Sequence, residues 1–317
     1  MKTNNEYRPE VSVVMPVFNG EKYLNEAVDS ILDQRFKDFE FIIINDGSVD
    51  NTSKILDSYS DGRIRLVQRE NRGFAYSLNE AIQLAEGKYI ARMDADDVAL
   101  ENRLRLQYEF MESHSGVDIL GGQADIIDEY GRLIGEMRKP ASWPNISKYI
   151  KYACPLCHPT YFVREHVYDI IKGYRNIPPV EDYDFLFRAF EKGCVMRNLP
   201  EKILKYRKTN NSMTANNFLR TVTLTSQVQK LHVLRVNSTG SIDRIDSINY
   251  VLKKYNKKPN FWFNFVYNSR NKLLAIRKRQ KGLKKYLLFV SIIVVSLGNY
   301  HIFQNTYKGF KSLRWNK

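Results

Sequence analysis

The run Asp94-Ala95-Asp96-Asp97 packs three carboxylates into four positions, directly after the apolar stretch Lys88 to Met93 (KYIARM). At a buried strand end such charges repel one another unless a cation joins them. Hard divalent cations take oxygen ligands, and Mg²⁺ sites typically combine one or two carboxylates with substrate phosphates. A Mn²⁺ or Mg²⁺ held this way neutralises charge on a departing diphosphate. Residues i and i+2 of an extended segment share a side, so Asp94 and Asp96 are expected to face one ligand. The competing use of these acids is to cap the next helix. Asp46, in Asn45-Asp46-Gly47-Ser48, suits a ribose hydroxyl or a base N–H, or else a simple Asx turn. Glu181-Asp182 opens a helical pattern (YDFLFRAFE), where the helix dipole favours ionised carboxylates. An ionised carboxylate beside a hydroxyl can take its proton as that hydroxyl attacks, and capping is again the alternative.

The elements that must position these acids are legible as alternating strands and helices. Val11 to Val17 (VSVVMPV) is continuously apolar, as in a strand buried on both faces of a parallel sheet. Tyr23, Leu24, Ala27, Val28, Ile31 and Leu32 recur at helical spacing. Phe39 to Ile44 predicts a second strand, and Ser48, Asp50 and Asn51 are N-caps for a helix holding Ile55 and Leu56. Further strands are expected at Ile64 to Val67 and Lys88 to Met93, with helices at Ala75 to Ala85 and Asn102 to Ser113. This alternation means a mostly parallel, doubly wound α/β sheet, in which ligands bind beyond the carboxyl ends of the strands. Asp46 and Asp94/Asp96/Asp97 stand at two such ends. Beyond Val117 the pattern loosens, broken at Trp143-Pro144, Cys154-Pro155, His158-Pro159 and Pro178-Pro179.

Of the net charge of +14 over 317 residues, the segment from Val251 to Lys317 carries 16 Lys/Arg and no acid. The first 250 residues therefore stand at −2, the difference between +14 and +16. Within this tail, Leu287 to Leu297 is an apolar run of 11 residues, short of the about 20 a full span needs. Cationic flanks beside it fit an interfacial element on an anionic membrane surface, with about 1 kcal/mol of attraction per Lys/Arg. Three cysteines suit a reducing compartment, and the start MKTNNEYRPEVSVV lacks a secretory pattern, so a cytoplasmic setting is expected.

No G-x-x-x-x-G-K-[ST], G-x-G-x-x-G after the first strand, or G-x-S-x-G occurs, which removes support for P-loop, Rossmann redox and α/β-hydrolase chemistry. Cys154-Pro155-Leu156-Cys157-His158 matches the haem attachment pattern C-x-x-C-H, but covalent haem belongs to exported proteins, and zinc would need a second ligand pair. The plain reading is two semi-buried thiols in a turn, with His158 a candidate substrate contact.

Six ordered blocks carry a resemblance: PVFNGEKYLNEAVDSIL (16–32), NDGSVDNT (45–52), ENRGFAYSLNEAI (70–82), ARMDADD (91–97), VEDYDFLFR (180–188) and Tyr206-Arg207. Together they resemble the inverting glycosyltransferases of family 2, with a GT-A type fold. The resemblance implies a catalytic domain over 1–217, with a nucleotide-binding half at about 1–115 and an acceptor-binding half at about 116–217. It leaves 218–317 as a basic helical tail with an apolar, membrane-interacting segment at about 286–303. Pro16, Val17, Asp46, Arg72 and Asp94 would bind the nucleotide, and Asp96, with Asp94, the metal. Asp182 would be the general base, with Glu181 beside it. Many relatives carry a metal-reaching His two residues after the Tyr-Arg pair; here Lys208-Thr209-Asn210-Asn211 follows, so that ligand is missing and Arg207 and Lys208 become candidates for neutralising the diphosphate. The implied reaction moves a hexose, glucose or galactose, from a UDP-sugar to an undecaprenyl-diphosphate-linked saccharide, forming a β-bond in O-antigen, capsule or exopolysaccharide assembly. Its setting would be the cytoplasmic face of a bacterial inner membrane, with no nucleic acid as partner. The alternative from the basic aromatic tail is a nucleic-acid-binding protein without transferase activity.

Overall fold

The computed structural model describes residues 8–209 and 218–237. The chain divides into two compact units, Met1–Asn216 and Asn217–Lys317. Of the second, one helix is described, α8 (Phe218–Asn237). The apolar segment expected at 286–303 lies outside the described residues. Among the described residues, no helix is long and apolar enough to cross a membrane.

In the first unit, β1 (Val11–Val17) is buried at every position. It pairs in parallel with β2 (Phe39–Asp46) and β4 (Tyr89–Arg92), and β2 pairs in parallel with β3 (Ile64–Arg69). Between them run α1 (Leu24–Leu32), α2 (Thr52–Asp57) and α3 (Phe74–Leu84). Helix α1 shows why the pattern works: Leu24, Ala27, Val28 and Ile31, at i, i+3, i+4 and i+7, are all fully buried. Each such Leu, Val or Ile contributes about 1.5–3 kcal/mol of hydrophobic stabilisation. Of the caps expected for α2, Asp50 is the one that bonds into its first turn. Asn51 makes no side-chain cap bond, and the Asp50 carboxylate instead accepts from Thr52 N at 3.0 Å.

The sheet is mixed, with four parallel and four antiparallel strand pairings. Its order is β3-β2-β1-β4-β8-β6-β9-β5, with β7 on β6. The first half is parallel. Strands β8 (Phe162–Arg164) and β6 (Ile119–Ile127) then enter antiparallel, as do the β6–β7 pair (β7, Leu133–Met137) and the pair of β5 (Val98–Ala99) with β9 (Met196–Arg207); only β6–β9 returns to parallel. The stretch beyond Val117 therefore holds the sheet's second half. Gly121 and Gly122 hide it from a pattern search, yet they are required by close packing. A Cβ at Gly121 would lie 2.3 Å from Asn198 Oδ1, and one at Gly122 2.5 Å from Ile203.

Helices α4 (Arg103–Ser113), α5 (Trp143–Tyr149), α6 (Glu165–Ile171) and α7 (Glu181–Glu191) complete the unit. The ends of β1, β2 and β4 lie together, with Val17 in register with Asn45 and Asp46 with Arg69.

Gly47, just after β2, has φ of +72° and sits against the 69–73 segment. A Cβ there would lie 2.5 Å from Asn71 N. Gly47→Ala should cost about 1–3 kcal/mol, read in chemical denaturation as a lower midpoint with an unchanged slope.

Candidate active site

The acid run is brought together by a turn, not by an extended strand. Strand β4 ends at Arg92, the chain turns over residues 95–96, and Asp97 N donates to Asp94 O at 3.4 Å. Ligand oxygens of Asp94, Asp96 and Asp97 consequently all lie within 4.8 Å of one another. Asp94 and Asp96 are half-buried and Asp97 is buried.

Their environment is strained electrostatically. Burial, then the neighbouring Asp94 charge, pushes Asp96 up to about 6. Burial and the charges of Asp94 and Asp96 push Asp97 well above the usual carboxylate range. Asp97 Oδ1 accepts from Arg207 N at 2.7 Å, whereas its buried Oδ2 has no partner. An all-oxygen trio with mutual repulsion and an orphaned buried oxygen fits a hard divalent cation.

Partial compensation comes from Arg92, whose side chain is 3% exposed and grips both oxygens of Asp94, one at 2.7 Å. Arg103, fully buried on α4, donates to Arg92 O at 2.6 Å and to Gln107 at 3.1 Å. The sequence reading missed both arginines, although Arg92 stands inside the acid block.

A cleft of about 940 Å³ opens at these strand ends. Pro16, Val17, Asp46, Asp94 and Asp96 all line it, joined by Phe18, Lys22, Tyr23, Phe74 and Glu129. Asp46 is wrapped by the 69–73 segment. Its two oxygens accept from Arg72 N at 2.8 Å and Gly73 N at 2.9 Å, and Arg69 pairs with it as well. Arg72 thus meets the site through its backbone, while its guanidinium donates to the Tyr76 hydroxyl at 2.9 Å. Arg207 does not line the cleft. It donates to Asp96 O at 2.8 Å and Asp128 O at 3.3 Å, pairs with Glu26, and stacks 4.3 Å from the Tyr23 ring. Lys208 is exposed, and its N–H donates to Ile127 O at 2.8 Å.

Glu181 and Asp182 sit in the first turn of α7, outside the lining of that cleft. Here burial beats the helix dipole. Glu181 is 5% exposed with an unpartnered Oε2, and burial followed by the Asp182 charge pushes it up to about 8. It is therefore mostly protonated at neutral pH. Burial raises Asp182 too, opposed by Tyr183 N at 2.7 Å and the Cys154 thiol at 3.5 Å. Both acids feel the Arg92 charge, and Glu181 also that of Asp94.

His158 lies one ring behind the cleft, edge-on to Phe74 at 6.2 Å and 3.1 Å from the Tyr174 hydroxyl. Burial and Arg92 hold its imidazole well below the ordinary range, so it is neutral. Cys154 and Cys157 are free thiols, and burial pushes Cys157 up to about 12. Among the described residues, the acid trio is the one cluster of three metal-ligating side chains.

Residues 12–169 match the model for glycosyl transferase family 2. The putative glycosyltransferase EpsE of Bacillus subtilis is 35% identical over 217 residues, covering 66% of this chain and 77% of that protein. The chain belongs to glycosyl transferase family 2. This glycosyltransferase is also 34% identical over 207 residues to the O-antigen biosynthesis glycosyltransferase WbnJ of Escherichia coli, covering 64% and 81%. Two solved structures share the fold. S. aureus TarS 1-349 in complex with UDP-GlcNAc has a TM-score of 0.58 at 20% identity, covering 97% of this chain and 92% of that one. The mannosyltransferase PcManGT of Pyrobaculum calidifontis, in complex with GDP-Man and Mn²⁺, has a TM-score of 0.59 at 17% identity, covering 98% and 89%.

Because its folded pKa is raised, Glu181 adds no penalty below about pH 4.5, a growing one as pH climbs towards 8, and a full one above. In thermal unfolding, Glu181→Gln should gain on the wild type progressively across that window. An advantage no larger at about pH 8.5 than at about pH 4.5 would contradict the assignment.

Proposed function

We propose that this glycosyltransferase transfers a hexose from a UDP-sugar to a hydroxyl of a lipid-diphosphate-linked saccharide, with inversion, using Mn²⁺ or Mg²⁺. The observation that carries the reading is the acid trio within 4.8 Å, with its orphaned Asp97 oxygen, beside a cleft large enough for a nucleotide sugar. Asp96 and Asp94 are the residues to hold the metal, and a divalent cation there supplies Lewis-acid neutralisation of the leaving diphosphate. TarS with UDP-GlcNAc and PcManGT with Mn²⁺ support a sugar nucleotide and a metal by analogy. Glucose and galactose are the donors first in line.

The protein's own part is positioning and proton transfer. Pro16, Val17 and the wrapped Asp46 shape the nucleotide end of the cleft. The acceptor oxygen attacks C1, the bond from C1 to the diphosphate oxygen breaks with its electron pair, and the hydroxyl proton passes to Asp182. An α-linked donor then gives a β-linked product. Burial raises both acids and Glu181 further, which leaves Asp182 the more readily ionised of the two and so the better placed to take that proton.

The similarity to WbnJ supports a role in O-antigen, capsule or exopolysaccharide assembly. An undecaprenyl-diphosphate-linked acceptor and a peripheral place on the cytoplasmic face of the inner membrane follow as part of the proposal, supported by the 16 cations of residues 251–317. A nucleic-acid-binding reading has only that same tail charge in its favour.

With Mn²⁺, a panel of UDP-sugars and a synthetic lipid-diphosphate sugar, Asp96→Ala and Asp182→Asn should each lower turnover by about 100-fold or more. Only Asp96→Ala should also weaken metal-dependent UDP binding in calorimetry, and near-normal turnover by either variant rejects its assigned role. The full chain should also float with vesicles containing anionic lipid at low ionic strength and detach at about 1 M salt, where the Debye length is about 3 Å. Flotation with purely zwitterionic vesicles to the same extent would remove the electrostatic part of this reading.

A further inference from the structure

A cleft for a nucleoside diphosphate has to meet two phosphates, yet this one is lined by Asp46, Asp94, Asp96 and Glu129. Among the described residues, Lys22 is the one cationic side chain in its lining. The arginines around the site are committed elsewhere. Arg69 pairs with Asp46 and Glu80, Arg92 grips Asp94, Arg72 turns to Tyr76, and Arg207 is tied to Glu26 and two backbone carbonyls.

Lys22 stands in the loop between β1 and α1, beside Tyr23. Its Nζ is 3.1 Å from Glu129 Oε2, in the turn between β6 and β7, and 5.0 Å from the centre of the Tyr23 ring. The contact joins two segments 107 residues apart across the cleft. The two side chains are 60% and 39% exposed, the setting in which ion pairs hold weakly. A diphosphate oxygen offers the ammonium the same kind of charge-assisted bond, so Lys22 can exchange the exposed Glu129 carboxylate for it. The stem of Lys22 is flexible, whereas Tyr23 beneath it is pinned by Arg207 at 4.3 Å.

We propose that Lys22 is the diphosphate-binding cation of this cleft, parked on Glu129 in the free protein and transferred to the phosphates when the nucleotide enters. It then offsets charge on the diphosphate as the bond to the sugar breaks, in the role for which Arg207 and Lys208 are the candidates in sequence. The inference rests on the proposed nucleoside diphosphate specificity.

The test is a double-mutant cycle on the full chain, titrating UDP and uridine in the presence of Mn²⁺. Lys22→Gln should weaken UDP by about tenfold or more, as for loss of one charge-assisted contact, and leave uridine within about twofold. Lys22→Arg should restore most of the UDP affinity. Glu129→Gln should tighten UDP about two- to fivefold by freeing the lysine, and the double variant should match Lys22→Gln alone. Equal losses for UDP and uridine, or a Lys22→Gln protein that binds UDP as the wild type does, overturn the inference. A wild-type protein that takes up no UDP fails the functional reading itself, a separate result.

Discussion

Three carboxylates within 4.8 Å of one another, in a site largely withdrawn from water, repel by roughly 3 kcal/mol per ionised pair at an effective dielectric of about 20. The local structure is organised around that cost. Arg92 offsets part of it from below through its grip on Asp94, and the same buried charge reaches Asp96, Asp97, His158, Glu181 and Asp182. Arg103 and Gln107 brace the backbone that carries this arginine, linking the Arg92 carbonyl to the backbone at Thr160. What remains uncompensated is concentrated on Asp96 and on the buried, unpartnered oxygen of Asp97.

The second acid pair solves a similar problem differently. Among the described residues no arginine grips Glu181 or Asp182 as Arg92 grips Asp94, so burial dominates and pushes both acids up. Tyr161, Tyr168, Tyr174, Phe185 and His158 form an aromatic cluster beside this region, mostly tilted or edge-on, with the Tyr174 and Phe185 rings stacked 4.6 Å apart. These rings keep the region dry and the imidazole neutral. The end of β9 braces the other flank, where Arg207 fastens the acid turn, the β6 end and α1 to one another.

Much of the nucleotide half was legible because its signals are local. The VSVVMPV run, the four-point apolar stripe of α1 and the acids after β2 and β4 all report their environments within a few residues. The second half was less legible, because β6 carries a Gly-Gly pair whose reason lies in β9, at Asn198 and Ile203. The carboxylate cluster was expected on the wrong local geometry, an extended segment, and arises from a turn whose closeness is greater than an i, i+2 strand would allow.

By itself, the sequence determined the alternation of elements, the strand ends at which acids collect, and the family, since all three depend on short-range pattern and on ordered motifs. Tertiary structure alone decided which cations reach the cleft. Arg69, Arg92 and Arg207 are neutralised by partners from 2 to 181 positions away, leaving Lys22 to face the cleft. It alone decided that Glu181 holds a proton, because desolvation depends on what packs around a carboxyl group and not on which residues precede it.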